Sequence, residues 1–521
     1  MKLIDDMKFA AYYATHMFNK LPSRVSKRER DQRILQAGFK RGERAGVQKA
    51  LQYFPGASSG VLNADWSSSI NSAIEMIRQD FSGLCGRSEL AYRTSAIAKR
   101  AVDVLSYFVV GQGNRPYPTV RDANGEAIES VNKILAADWE RFNDQSIRNG
   151  TQDLTDYQGQ QLDFRTIVTY GSALFNRVAS RKGSLSPYAF QTLKPYRLDF
   201  SKDTLFGAYQ DQLKKEQIIH GIAVNAYGEP QKFYFTDGNT YTPDNMQLCF
   251  YPIEAEQYLG LPWLTPVLPQ IWDDQQLFDD KLKQSRIGAR LGYKVSPRDI
   301  GGLNGLLATD DDSGEQYLEL DFQGFVGTND KPEPISISDP IKDTFKALVE
   351  MSMQRIAIGL GFSYQLFTSD LSGANFSSAR MNTINDNLGF RTLYKWFVKA
   401  RCQRRWEQFV YSEVLTGRLA SAGVTMTEYN RDPWIFNQCF HLPMDGQEWV
   451  DPLKDIEATV LAYKTGQITY QEICSRTGKH WQSVLKQLEN ERKEMENRGL
   501  SMFLPENIDK KQSTGVTNEN I

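Results

Sequence analysis

The sequence is poor in the side chains that build metal and redox centres. Its 521 residues include only five cysteines and four histidines. The cysteines are scattered and odd in number, and no two have the spacing of a zinc or redox motif. We therefore expect free, buried thiols of the kind found in a reducing intracellular setting, and no cofactor.

Long apolar runs and a strong excess of positive charge are also absent. No stretch approaches the roughly 20 apolar residues that a transmembrane helix needs. The first residues, MKLIDD, are acidic where a secretory signal would be basic and then apolar. We expect a soluble protein with no membrane partner. The net charge of −2 also excludes a polycation that clamps nucleic acid.

The motifs of common catalytic sites are missing as well. There is no HExxH sequence and no GxSxG elbow between a predicted strand and helix, and the TGKH tetrapeptide lacks both the first glycine and the final hydroxyl of a phosphate-binding loop. Two aspartate groups leave one enzymatic alternative open, a nuclease that uses Mg²⁺. They are Asp273, Asp274, Asp279 and Asp280, followed by Asp310, Asp311 and Asp312. Solvated charge, or pairing with a neighbouring subunit, is the simpler interpretation.

Several stretches do predict ordered structure. The length indicates two or more packed units. Helical spacing before VVGQG, the FRTIVTYGSALFNRVAS segment and the GIAVNAYGEPQKFYFTDG segment predict an α+β fold in which helices precede short strands. The glycines of VVGQG are expected to end the first helices, and the Tyr227-Gly228 pair is expected to form a turn between two strands.

Three long helices are predicted further along the chain. They cover about 266–291, 340–358 and 379–415, and Asp339 is a suitable N-cap for the second. Six basic residues on the third helix could contact nucleic acid, but intersubunit ion pairs or a solvated face explain them more simply. They are Arg391, Lys395, Lys399, Arg401, Arg404 and Arg405. The four histidines are expected to be ordinary surface residues or hydrogen-bonded polar residues.

Between the second and third helices lies a small, polar segment, GFSYQLFTSDLSGANFSSARM, at 361–381. It contains no cysteine or histidine and a single carboxylate. By spacing alone it would be a linker. A basic stretch occupies residues 1–60 and could bind DNA or a scaffold, or be a solvated extension; a polar tail beyond 500 is expected to be disordered.

Three blocks resemble the portal proteins of lambda-type tailed bacteriophages. They are DFSGLCGRSELAYRTSAIAKRAVDVLSYFVVGQG, IAIGLGFSYQLFTSDLSGANFSSAR and the C-terminal block from WVDPLKDIEATVLAYKTGQITYQEIC to ENRGL. EAEQYLGLPWLTPVL, before the first long helix, is similar as well. The resemblance implies a ring of about twelve subunits around a channel for double-stranded DNA, without catalysis.

The resemblance also implies a division of the chain into the parts of a portal subunit. In order these are a basic arm (1–60), an α/β wing (61–264), a first stem helix (265–295), a small β-containing clip (296–339), a second stem helix (340–362), a channel loop (363–379), a long wing helix with a return segment (380–446), a helical crown (447–500) and a disordered tail (501–521).

In this scheme the polar segment lines the narrowest part of the channel. The implied channel-loop residues are Leu366, Thr368, Ser369, Asp370, Leu371, Ser372, Gly373 and Asn375. Small neutral or acidic groups suit a conduit, because lysines repeated around a ring would hold the phosphates of DNA. Tyr364, Phe376 and Arg380 are expected to make packing or subunit contacts.

The implied partners are those of a head-tail connector in the virion that assembles in the host cytoplasm. They are other copies of the chain, non-specifically bound DNA, the large terminase subunit that hydrolyses ATP, the head-tail adaptor, and the major capsid and scaffold proteins. The clip contains no sequence that identifies contacts with terminase or adaptor. Besides the nuclease, another phage ring protein such as a tail adaptor is the remaining alternative.

Overall fold

The computed structural model describes residues 73–122, 124–144, 146–150, 152–181, 187–204, 217–290, 345–370, 372, 376–444 and 452–499, and four short strands at 293–294, 307–309, 316–318 and 333–334. The predicted basic arm, most of the predicted clip and the tail lie outside these residues. Asp310, Asp311, Asp312 and the predicted cap Asp339 also lie outside them.

Helices α1 (Ala73–Thr94) and α2 (Ala96–Val109) open the described chain. Ser95 caps α2, because its side chain accepts a hydrogen bond from the backbone N–H of Ala98. The chain leaves α2 through Gly111, whose φ of 58° is the left-handed conformation that glycine adopts easily. The predicted helices and their glycine stop are confirmed over the described part of 61–111.

A five-stranded sheet with the strand order β10-β4-β5-β2-β3 forms the centre of this region. Its elements, with the helices between them, are α3 (Glu129–Asn143), β2 (Ile147–Asn149), β3 (Gln152–Leu154), α4 (Asp156–Tyr170), β4 (Ser172–Ala179), β5 (Tyr188–Leu193) and β10 (Met246–Phe250). Gly171 joins α4 to β4 where a Cβ would lie 2.3 Å from the carbonyl oxygen of Gly260, so only glycine fits. The predicted passage from helix to strand is confirmed.

A second, four-stranded sheet follows the order β6-β7-β8-β9. Its strands are β6 (Gln217–Ile219), β7 (Ile222–Val224), β8 (Pro230–Tyr234) and β9 (Thr240–Tyr241). The turn at Tyr227-Gly228 connects β7 to β8, as predicted, and Gly228 has a φ of 80°. Helices and largely antiparallel sheets alternate along the chain, which confirms the α+β class.

The first two long helices are α5 (Leu268–Arg290) and α6 (Phe345–Leu360). Between them, β11 (Tyr293–Lys294) pairs with β14 (Glu333–Pro334), and β12 (Leu307–Thr309) pairs with β13 (Gln316–Leu318). The short helix α7 (Tyr364–Thr368) follows α6. None of the helices in the described residues has the length and apolar content to cross a membrane.

The third long helix runs from Phe376 to Leu415 in three parts. They are α8 (Phe376–Phe397), a π-helical turn (Val398–Gln403) and α9 (Arg404–Leu415). The predicted end at Leu415 is confirmed, and the start lies three residues before the predicted Ala379.

The C-terminal region contributes a strand that pairs with an early strand of the chain, and then forms helices. The short helices α10 (Met426–Arg431) and α11 (Pro433–Phe436) lead to β15 (Cys439–Pro443), which pairs antiparallel with β1 (Asn114–Pro118). Three helices complete the described chain, α12 (Pro452–Lys464), α13 (Tyr470–Arg476) and α14 (Trp481–Asn497). The sequence of this region predicts a helix, a turn at Gly466, a short helix, a turn at Gly478 and a charged helix, and the structure has this order.

One hydrophobic core joins α2, α4, β4, α6 and α8. It also receives Phe362, which precedes α7, and Phe367, which lies within α7. A second core lies between α3 and α9, where Trp139, Trp406 and Phe409 meet. The first core is the one that supports the polar segment, because α2, α6 and α8 all contribute to it.

Two of the basic residues predicted on a solvated or nucleic-acid-binding helix face are instead buried. Arg401 lies in the π turn and is 1% exposed; its Nε and Nη1 atoms bind Asp163 at 2.9 Å and Asp156 at 2.7 Å. Arg405 packs on the ring of Phe190, 3.3 Å from its centroid. The prediction was wrong for both residues because helical spacing does not show that α4 presents two carboxylates to this face.

The charges in this buried cluster balance. Burial alone would raise the pKa of Asp156, but the neighbouring Arg401 and Arg405 lower it below its usual value. Arg391, Lys395, Lys399 and Arg404 remain exposed, as predicted.

Asp274 and His220 also differ from expectation. Asp274 is 8% exposed rather than solvated, and burial raises the pKa of its carboxyl group. His220 is fully buried with neither ring nitrogen hydrogen-bonded. Burial, with a smaller effect of Arg78, lowers the pKa of His220 to about 4, so the ring is neutral at physiological pH.

Candidate functional site

The polar segment begins as a helix rather than as a loop. Gly361, with a φ of 81°, ends α6, and Ser363 caps α7 by accepting a hydrogen bond from the backbone N–H of Leu366. The predicted channel loop of 363–379 is therefore helical at both ends. After α7, the described residues 369, 370 and 372 are not helical.

Asp386 of α8 fastens the start of α7. Its carboxylate accepts hydrogen bonds from the backbone N–H of Ser363 at 2.9 Å and from the Ser363 hydroxyl at 2.5 Å. Asn382, one turn earlier on α8, donates to Gln365 at 3.2 Å. These contacts fix α7 against the helix that follows it in sequence.

Arg100 of α2 holds the other end of α7. Its Nε donates to the carbonyl oxygen of Phe367 at 3.1 Å, and its Nη2 donates to the carbonyl oxygen of Leu366 at 3.1 Å and to the Ser369 hydroxyl at 3.3 Å. The Phe367 side chain, 4% exposed, packs against Phe362 with ring centroids 5.6 Å apart. The end of α7 is therefore held by both polar and apolar contacts.

Beyond α7 the segment turns outward. Thr368, Ser369, Asp370 and Ser372 are all exposed. Ser369 has a φ of 60°, a left-handed conformation that is uncommon for a residue other than glycine. Hydrogen bonds from Ser372 lower the pKa of Asp370, so this carboxylate is ionised at neutral pH. The exposed side chains at 368, 369, 370 and 372 are neutral or acidic, whereas the exposed Arg380, further along on α8, is basic.

The predicted site residues separate into three groups. Thr368, Ser369, Asp370 and Ser372 lie together on the exposed turn. Leu366 does not join them, because it is half-buried in α7 and packs against the first core. The backbones of Leu371, Gly373 and Asn375, and the side chain of Phe376, lie outside the described residues.

The two described residues predicted to make packing or subunit contacts have contacts within the chain. Tyr364 is half-buried on α7. Arg380 of α8 lies 3.9 Å from the carboxylate of Asp455 on α12, a weak, exposed ion pair. Whether either residue also contacts another subunit remains a prediction.

Sequence reasoning missed Arg100 and Asp386. Ser363 could have been identified as an N-cap from its place before a short apolar run. Arg100 and Phe367 are 267 positions apart, and no periodicity or motif connects them. Only the packing of α2 beside α7 brings the guanidinium to these carbonyls.

The aspartates of the nuclease alternative do not converge in the described chain. Asp280 binds Lys283 at 3.0 Å on the surface of α5, whereas Asp274 points to the buried side. Within the described ranges, no group of three or more histidine, cysteine, aspartate or glutamate side chains is placed to hold a metal ion.

Comparison with known proteins identifies the family of this chain. The family described as "Phage portal protein, lambda family" matches residues 59–393. This match spans more than half of the chain, so the chain belongs to the lambda family of phage portal proteins. Its function is that of a portal protein, and this family is structural rather than catalytic.

The chain is also similar to individual proteins and solved structures. The probable portal protein of Halomonas phage phiHAP-1 is 20% identical over 467 residues, covering 84% of this chain and 86% of the relative. Among solved structures, the virion of a native gene transfer agent particle matches with 12% identity and a TM-score of 0.35, over 78% of this chain and 95% of that one. The crystal structure of an HK97 family phage portal protein from Corynebacterium diphtheriae matches with 11% identity and a TM-score of 0.29, over 57% and 84% of the two chains.

Proposed function

We propose that this protein assembles as a ring, of about twelve copies, at one vertex of the capsid and forms the channel through which double-stranded DNA enters and leaves. The channel-loop residues face the bore at its narrowest point. The family membership supports the ring and the channel, and the exposed polar turn after α7 is the observation that supports the placement of the loop.

Exposed apolar side chains on the long helices support self-assembly. A monomeric protein rarely leaves large apolar patches in water, and such patches mark interaction surfaces. The residues in question are Trp272, Phe278 and Leu282 on α5, Leu348, Met351 and Ile358 on α6, Met381, Ile384 and Leu388 on α8, and Leu453, Ile456, Val460 and Leu461 on α12. In the ring, neighbouring subunits cover these faces.

The chemistry of the exposed turn supports a passive conduit. DNA carries one phosphate charge per roughly 1.7 Å of its axis, and each phosphate neutralised by a lysine or arginine adds to affinity. Thr368, Ser369 and Ser372 offer only weak hydrogen bonds, and ionised Asp370 repels phosphate. Contacts of this kind break easily as DNA moves.

The remaining parts follow the order of the chain. The five- and four-stranded sheets form the wing, α5 and α6 the stem, β12, β13 and β14 belong to the clip, and α12–α14 form the crown. The terminase and the head-tail adaptor dock on the clip, and the major capsid and scaffold proteins surround the ring. The finished portal is part of the virion and assembles in the host cytoplasm. ATP hydrolysis belongs to the terminase, and the portal itself catalyses no reaction.

Two measurements test this function. Negative-stain images of the purified protein should show rings with a central hole. Deleting residues 369–375 should leave the rings intact and impair DNA packaging or retention, because the deletion spares the hydrogen bonds from Arg100 to Phe367 and from Ser363 to Asp386 that hold the two ends of α7. Ser372→Ala is the matched control and should package normally.

The placement of the loop would be wrong if the deletion abolished rings, or if rings lacking residues 369–375 packaged and retained DNA as well as the unchanged protein.

A further inference from the structure

We propose that Arg100 is the positioning residue of the channel loop, because it holds the end of α7 from which the exposed turn departs. The hydrogen bonds of Arg100 are seen directly in the structure. The consequence for DNA rests on the proposed channel function. Arg100 acts here as a structural clamp on the protein backbone, not as a contact to phosphate.

The last turn of α7 needs such a clamp. The final carbonyls of any helix lack intrahelical partners, and a helix as short as Tyr364–Thr368 has little stability of its own. Arg100 satisfies the carbonyl oxygens of Leu366 and Phe367 with one guanidinium group. A cation also interacts favourably with the negative end of the helix dipole. Removing it would leave these groups to water and allow the last turn to fray.

The same guanidinium stabilises the change in chain direction after α7. Ser369 occupies the left-handed region, where a side chain is disfavoured and glycine is the usual residue. The Ser369 hydroxyl accepts a hydrogen bond from Arg100 at 3.3 Å, which helps to hold this conformation. The direction in which the chain leaves α7 is therefore set at Ser369, and Arg100 contacts both this residue and the end of the helix before it.

Arg100 is well placed to be a fixed point. Its neighbours on α2, Ala98, Ala101 and Val102, are fully buried in the first core, so the helix that carries it is rigid. Among the described residues no carboxylate forms an ion pair with Arg100, whereas the adjacent Lys99 binds Asp103 at 2.5 Å. The guanidinium is committed to α7.

The competing role for an exposed arginine beside a DNA channel is a phosphate contact. The two roles predict different results for lysine. A lysine keeps the charge but has one flexible ammonium group in place of the planar fork that reaches two carbonyls and a hydroxyl. Arg100→Lys should therefore fail to hold α7, whereas it would largely preserve an electrostatic contact with DNA.

The experiment compares Arg100→Gln, Arg100→Lys and the control Lys99→Gln in the assembled ring. Lys99→Gln removes one positive charge from the same surface of α2 without touching α7. Amide hydrogen exchange is measured by mass spectrometry for peptides covering 362–372, together with ring formation in negative stain and retention of DNA in packaged particles.

We expect both Arg100 variants to form rings and to exchange the amides of 366–370 about tenfold faster, while Lys99→Gln exchanges as the unchanged protein does. DNA retention should fall in both Arg100 variants. Unchanged exchange in Arg100→Gln would overturn the proposal, as would an Arg100→Lys variant that behaves normally in both assays. Faster exchange with normal DNA retention would support the clamp and count against the channel role of the loop.

Discussion

The carboxylate of Asp386 accepts two hydrogen bonds from Ser363, one from its backbone N–H and one from its hydroxyl group. Ser363 lies at the start of the polar segment and Asp386 lies on α8 beyond its end, so this contact ties the start of the segment to the helix that follows it. Asp386 is 9% exposed, and its partners would be left without an acceptor if it were removed.

Replacing Asp386 should destabilise the subunit locally. We expect Asp386→Ala to lower the free energy of unfolding by about 1–3 kcal/mol, the usual effect of losing hydrogen bonds to a buried charged group. Chemical denaturation followed by tryptophan fluorescence measures this change. Asn385→Ala, at an exposed position on the same helix, is the control and should have little effect. Equal stabilities of the two variants would show that the contact contributes nothing.

The buried cluster around Arg401 should be far more sensitive. Arg401→Met leaves two buried carboxylates, Asp156 and Asp163, with Arg405 as their only remaining buried cation, and breaking such a cluster typically costs about 3–5 kcal/mol. Denaturant midpoints, compared with those of the exposed control Lys399→Met, measure the loss. Adding Asp163→Asn to Arg401→Met should recover part of it, because the remaining carboxylate of Asp156 then balances Arg405. A loss no larger than that of the control would contradict a structural role for the cluster.

Adding charge to the exposed turn should slow the movement of DNA. In a ring, Ser372→Lys places one lysine per subunit at the bore, and the accumulated phosphate contacts should reduce the packaging rate. Because these contacts release counterions, the defect should be strongest at low salt and weaken as salt is added. Single-particle packaging assays measure the rate. Ser372→Gln, which is longer but neutral, is the control. If both variants slow packaging equally at every salt concentration, the effect is steric.

Glu413 should make stability depend on pH. It is 1% exposed, and burial raises the pKa of its carboxyl group to about 7 from the usual 4.5, although Arg418 lies 3.7 Å away. The folded protein therefore keeps a proton that the unfolded chain loses above pH 4.5. The stability that this group contributes is complete below that pH and is lost as pH rises toward 7.

We expect Glu413→Gln to flatten the decline in stability between pH 4.5 and 7, since glutamine does not titrate. Denaturant midpoints at several pH values across this range measure the slope. Glu407→Gln, on the same helix, should leave the slope unchanged. An identical decline in Glu413→Gln would mean that the buried carboxyl group already loses its proton at its usual pKa.

The outline of the fold could be predicted because it depends on local pattern. Residue spacing and backbone preferences predict the glycine stop at Gly111 after α2, the helix end at Leu415 and the turn at Gly228. They also predict the order of the three C-terminal helices. The polar segment was correctly placed between two long helices for the same reason. Residues 364–368 were expected to be loop, and α7 was missed because a helix of that length is stabilised by its contacts rather than by its own sequence.

The inward-facing charges could not be predicted. Arg401 and Arg405 are four residues apart, as are the exposed Lys395 and Lys399. A sequence does not show which side of a helix a distant carboxylate will approach. Asp274 was assigned to the solvent for the same reason. Burial of a charge depends on partners supplied by other elements.

By itself, the sequence determined the α+β class, the succession of long helices and the neutral, weakly acidic character of the turn after α7, since these depend on composition and on neighbours a few positions away. The tertiary structure alone decided what holds α7 and the turn that follows it. Asp386 binds Ser363 at the start of α7 and Arg100 binds the other end of this helix, and the two residues come from helices that are far apart in sequence. Hydrogen bonds depend on distances in space, and only the packed core brings these distances below 3.5 Å.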